Sequence, residues 1–229
     1  MTVYSSNRYD ALVRIPVNGL SLRAVLSVPV TADGLVIIAY SEEQKRRQAS
    51  DSLVISALQR HSIATLVVDL MSLAEMSDYT NHFDLELISE RLSIVTDWAV
   101  HSALLENLPV GFYVTGTAAA AALAIAGGNE AVIKAIVSVN GRLDHVESFI
   151  DKLKILTLLV VSAADKSLHA ANEAVFLRMI CHKELAEYPQ DRYGSIERDW
   201  SVRTAELSVR WYGKYLQGVR LRLTEKIDA

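Results

Sequence analysis

The chain has 229 residues, 51% hydrophobic and 22% charged, with a formal net charge of −4. That length suits one large α/β domain, residues 1–229, and a mean hydropathy of +0.20 argues for a substantial core and against disorder. The acidic balance disfavours general nucleic-acid binding, which usually needs a basic face, and no apolar run approaches the ~20 residues of a membrane span.

The opening residues, MTVYSSNRYD, lack a basic stretch followed by an apolar one, so no signal peptide is expected. The single cysteine, Cys181, has no internal disulfide partner and fits a reducing cytoplasm. Val13–Pro16 and Leu20–Val28 flank Val17-Asn18-Gly19, and Asn-Gly between extended runs predicts a hairpin. Leu35–Tyr40 and Ile63–Asp69 read as buried strands on either side of a helix over Glu42–Arg60, with Leu53, Ala57 and Leu58 inward. A polar connection, Leu70–His82, leads into a helix with an apolar stripe at Leu85, Ile88, Leu92, Val95 and Ala99.

Leu108–Gly128, LPVGFYVTGTAAAAALAIAGG, predicts a buried strand, a tight turn and a small-residue helix that ends at Gly127-Gly128. Strands follow at Ala131–Val139 and Leu156–Ala163, with short helices over Leu143–Asp151 and Leu168–Ile180. Lys183–Tyr188 reads as an edge strand, Pro189–Gly194 as a loop, and Ile196–Leu216 as a helix with Val202, Ala205, Val209, Tyr212 and Leu216 inward. Alternating strands and helices predict a mostly parallel sheet of seven to eight strands, opened by an antiparallel hairpin and covered on both faces.

This order resembles the α/β-hydrolase fold, and more narrowly the dienelactone-hydrolase-like group. The resemblance is carried by VRIPVNGLSLRAVLSVP at 13–29, ATLVVDL at 64–70, FDLELISERLSIVTDW at 83–98, LPVGFYVTGTAAAAAL at 108–123, AIVSVNGRLD at 135–144 and LTLLVVSAADKS at 156–167. It implies four functional stations. Where active relatives carry His-Gly after the first central strand, this chain has Tyr40-Ser41, followed by Glu42 and Glu43, which would oppose a developing oxyanion. Where the G-x-S-x-G elbow presents its nucleophile, the chain reads Val114-Thr115-Gly116-Thr117-Ala118, so Gly116 stands in the nucleophile's place and a relaxed turn is expected. Asp165 matches the acid that orients the histidine. In the histidine's loop stands Tyr193, with Arg192 as the second choice.

Other residues carry both a chemical and a structural reading. Thr115 or Thr117 would be a displaced nucleophile, but no histidine is placed as its base, and the plainer reading is that both satisfy turn backbone groups. Asp165 is equally a helix cap. Cys181 and His182, adjacent on a strand, point to opposite faces. Lys45-Arg46-Arg47, near a helix start, is the candidate anion-binding cluster, set against a solvated charge run. The connection from Met71 to His82, with Met76 and Tyr79, is a candidate lid or partner-facing surface, set against an ordinary surface loop. The six histidines show no metal-ligand spacing, and no phosphate-binding glycine loop is present, so neither metal nor cofactor is expected.

The expected function is a catalytically silent α/β-hydrolase homologue that binds a protein partner, a second copy of itself, or a small ligand in a pocket around Tyr40, Ser41, Thr115, Thr117, Asp165 and Tyr193. The alternatives are a weak esterase or lactonase with a relocated site, and an assembly subunit anchored by Trp200, Trp211 and Tyr215.

Overall fold

Buried apolar runs set the strands, and the computed structural model describes residues 2–5, 8–41, 48–144, 146, 150–188 and 196–216. The strands are β1 (Thr2–Ser5), β2 (Arg8–Val17), β3 (Leu20–Pro29), β4 (Gly34–Tyr40), β5 (Ile63–Asp69), β6 (Val110–Gly116), β7 (Ile133–Gly141), β8 (Leu156–Ser162) and β9 (Lys183–Tyr188). The helices are α1 (Gln48–Arg60), α2 (Leu85–Val100), α3 (Thr117–Ala126), α4 (Lys166–Arg178) and α5 (Ile196–Tyr215).

The strands form one sheet in the order β1-β2-β3-β5-β4-β6-β7-β8-β9. Pairing is antiparallel from β1 to β5 across the sheet and parallel from β5 to β9. The strand beyond the seven or eight expected is β1, whose four residues, TVYS, are too few to show a period. The hairpin turns on Asn18 and Gly19, both at positive φ (44° and 82°), as a two-residue turn between twisted strands requires.

Helices α2, α3 and α4 cover one face of the sheet, and α1 and α5 the other. The α2 stripe buries Ile88, Leu92, Val95 and Ala99, with Leu85 half-buried. Two inward assignments are corrected. On α1 the buried apolar residues are Val54, Ala57 and Leu58, while Leu53 lies outside. On α5, Val202 is exposed, whereas Ser201, Thr204, Ala205, Ser208, Trp211, Tyr212 and Leu216 face inward, with Val209 half-buried against the same cluster. Small hydroxyl side chains let α5 lie close against its neighbours, a pattern that apolar counting does not detect. Trp211 is thereby a core residue rather than an exposed anchor. Of the expected helix over Leu143–Asp151, residues 145 and 147–149 lie outside the described residues, and a short 3-10 turn, Ile150–Lys152, stands at its end.

Candidate functional site

Adjacent parallel strands bring two of the stations together. Register pairs Ala39 of β4 with Val114 of β6, so Tyr40-Ser41 and Thr115-Gly116 end side by side at the carboxyl edge of the sheet. Thr117 then opens α3.

The elbow is not relaxed. Gly116 sits at φ 55° and ψ −135°, a region that L side chains rarely adopt. Val114 and Ala118 are spared this strain, because one belongs to the strand and the other to the helix. The sharp strand-to-helix turn is therefore kept, with the strain concentrated on the one residue that lacks a side chain. The Gly116 carbonyl accepts the Arg142 amide at 2.9 Å, tying the elbow to the turn after β7.

No side chain caps α3, because its N-cap is Gly116. The reading that both threonines satisfy turn backbone groups fails for Thr117. Its buried hydroxyl, like that of Ser41, has no hydrogen-bond partner among the described residues. Thr115 is buried as well.

Tyr40 turns to the α1 side, where its hydroxyl donates to Asp51 Oδ2 at 2.7 Å. Tyr113 donates to Asp51 Oδ1 at 3.3 Å, and all three residues are buried. Burial first, and then the Asp51 charge, push the Tyr113 phenol well above its ordinary range.

Asp165 stands beyond β8, two strands from the elbow, and is exposed. Its carboxylate caps α4 by accepting the Leu168 amide at 3.0 Å. Cys181 packs with the α2–α4 side and its thiol is pushed up by burial, while His182 stacks on Trp211 of α5, so the two face apart as expected. Tyr193, Arg192, Glu42, Glu43 and Lys45-Arg46-Arg47 lie outside the described residues. No group of three or more metal-ligating side chains gathers among the described residues, and no described helix is long and apolar enough to cross a membrane.

Three features of this edge were not anticipated. The connection after β5 is pinned from within by Arg91 of α2, which is buried. Arg91 donates to the Leu70 carbonyl at 2.7 Å and grips both oxygens of Glu75, which also accepts the Ser72 amide. Hydrogen bonds from Arg91, opposed by partial burial, bring the Glu75 carboxyl down to about 2. Phe83, at the far end of the connection, lies under the Arg142 guanidinium at 5.3 Å. Finally, Asn140, at φ 48°, accepts the Ser162 amide at 2.9 Å and donates to the Tyr188 hydroxyl at 2.6 Å, joining the ends of β7, β8 and β9. The Asn140-Gly141 pair after a buried strand was the available signal for that turn.

No protein-family model matches the chain. It is similar to two Mycobacterium tuberculosis proteins, from strains CDC 1551 and H37Rv, each named as a proposed phosphoribosyl transferase, at 27% identity over 209 residues. That match takes in 91% of this chain but 47% of those proteins, so the chain spans about half the length of the curated relatives it matches. Among solved structures it resembles a dienelactone hydrolase from Anabaena variabilis, with a TM-score of 0.82 and 29% identity over 92% of this chain and 99% of that one. The esterase domain of a Rhodothermus marinus protein gives a TM-score of 0.70 at 17% identity, over 90% and 99% of the two chains. The chain has the α/β-hydrolase fold, and its structural neighbours are dienelactone hydrolases and esterases.

Proposed function

We propose that this is a hydrolase-fold protein that has lost its catalysis and acts by binding a protein partner or a small ligand at the carboxyl edge of its sheet. The observation that carries the reading is Gly116, a residue without a side chain in the strained backbone conformation of a nucleophile elbow. Fold alone does not assign the chemistry. An acyl-transfer site needs a nucleophile, a base within reach and an oriented acid. Here the nucleophile's place is empty of side chain, the matching acid is engaged as a helix cap, and the expected histidine position is Tyr193.

The transferase name of the Mycobacterium tuberculosis relatives enters this reading as a clue to partnership. Those proteins are about twice as long as the stretch matched here. Their name makes a phosphoribosyl transferase unit a candidate companion for a silent hydrolase fold.

A fluorophosphonate probe, which marks activated serines, tests the proposal. The natural protein stays unlabelled, and the Gly116→Ser, Tyr193→His double variant takes up the probe. Labelling of the natural protein that is lost on Thr117→Val would instead support the relocated site, for which the unpartnered Thr117 hydroxyl is the specific argument.

A further inference from the structure

The faces of the β2–β3 hairpin are covered unequally. Ile15, Val17, Leu22, Ala24 and Leu26 turn inward beneath the α2 side. On the opposite face the near end is covered by α1, whose Gln59 accepts from Arg8 at 2.7 Å. Beyond that contact the outer strands of the face are exposed, while Val67 of β5 packs half-buried against the α1 side. Leu12, directly opposite Val25, is 68% exposed, and Val25 is 43% exposed and itself opposite Val67 of β5. One step along, Arg14 stands directly opposite Arg23, both exposed. An apolar row thus lies beside a basic row, in a chain whose net charge is negative.

The basic row works against the fold. Like charges directly opposite on paired strands repel, and no ion pair joins either arginine to a carboxylate at salt-bridge distance among the described residues. Arg23 has Asp69 of β5 nearby, whose carboxyl it draws down against the upward pull of burial. A repulsive pair beside exposed apolar side chains is the mark of a surface kept for a partner.

We propose that this exposed sheet face docks an acidic amphipathic helix of a partner protein. Charge selects the occupant. A second copy laid face to face would set arginines against arginines, whereas carboxylates satisfy them. Spacing selects the helix. The two rows are about 7 Å apart along the strands, and neighbouring strands about 5 Å, so a helix crossing the hairpin places apolar side chains at i and i+4 on the Leu12–Val25–Val67 row and acids at i+3 and i+7 over Arg14 and Arg23. Relatives with about twice the matched length supply further protein from which such a helix would come. The inference rests on the partner-binding reading but not on catalytic silence.

The experiment uses the full chain, isotope-labelled, and a synthetic helical peptide with leucine at i and i+4 and glutamate at i+3 and i+7, beside a lysine-for-glutamate control. The acidic peptide should shift the amide signals of residues 12–15 and 21–25, weaken as salt rises, and lose about tenfold or more in affinity with Arg14→Glu. Because Arg14→Glu replaces a repulsive pair with an attractive one, its Tm should rise. Equal binding of the lysine peptide, shifts mapped elsewhere, an unchanged affinity or a lowered Tm would each overturn the proposal. So would concentration-dependent shifts of these residues without peptide, which would make a second copy the occupant. Ester turnover by the natural protein would sink catalytic silence and leave this result standing.

Discussion

The Arg142 amide donates to the Gly116 carbonyl at 2.9 Å, so the residue at the strained elbow is held by the turn after the neighbouring strand. Strain at Gly116 is thus supported from outside the strand-to-helix junction that bears it. A side chain there should be tolerated at a cost. Gly116→Ala is expected to fold and to lose about 1–3 kcal/mol, the usual penalty of a non-glycine residue in such a region. Urea unfolding measures it, and an unchanged midpoint would mean that the elbow has relaxed.

Glu75 and Arg91 give acid sensitivity with a defined window. The Glu75 carboxyl is held at about 2 against an ordinary 4.5, so its stabilising contribution is full above about pH 4.5 and disappears as pH falls toward 2. The shift corresponds to about 3 kcal/mol. Glu75→Gln leaves the Arg91 charge buried, and should cost about 3 kcal/mol at neutral pH. The gap between the two proteins should close by pH 2, as read from urea midpoints across that range.

Tyr113 and Tyr212 are both buried, and burial holds both phenols well above their ordinary range. Raised values mean that folding is undisturbed below about pH 10 and loses stability as pH climbs beyond it. In an alkaline absorbance titration these two tyrosines should ionise together with unfolding. Tyr113→Phe removes one of the two phenol donors to buried Asp51 and should cost about 1–3 kcal/mol.

Asp165 discriminates between structure and chemistry. As the cap of α4 it is replaceable by Asn with little effect, while Asp165→Ala should lower stability by about 1 kcal/mol. Thermal unfolding of the two variants tests this directly. Loss of an ester-hydrolysing activity with Asp165→Asn would give the carboxylate a chemical role.

The sequence made the scaffold readable wherever a period was strong. Ile63–Asp69 and Lys183–Tyr188 have the strand bounds that burial and turn residues indicated, and Asn18-Gly19 makes the turn its dipeptide favours. What escaped had no local signature. Arg91 and Glu75 lie sixteen positions apart and meet only because the connection folds back over α2. Ser201, Thr204 and Ser208 face inward on α5, while Val202, which a count of apolar residues places inward, is exposed. At the elbow the missing serine was legible from residue types, whereas the persistence of the strain was not, since it depends on backbone angles at Gly116 alone.

The most direct test is hydrolysis of short p-nitrophenyl esters at high protein concentration, with the natural chain beside the Gly116→Ser, Tyr193→His double variant. The account predicts no turnover above the buffer blank from the natural protein and measurable turnover from the variant, whose restored groups would act on a scaffold still shaped for them. Clear activity in the natural protein, abolished by Asp165→Asn or by Thr117→Val, would contradict it.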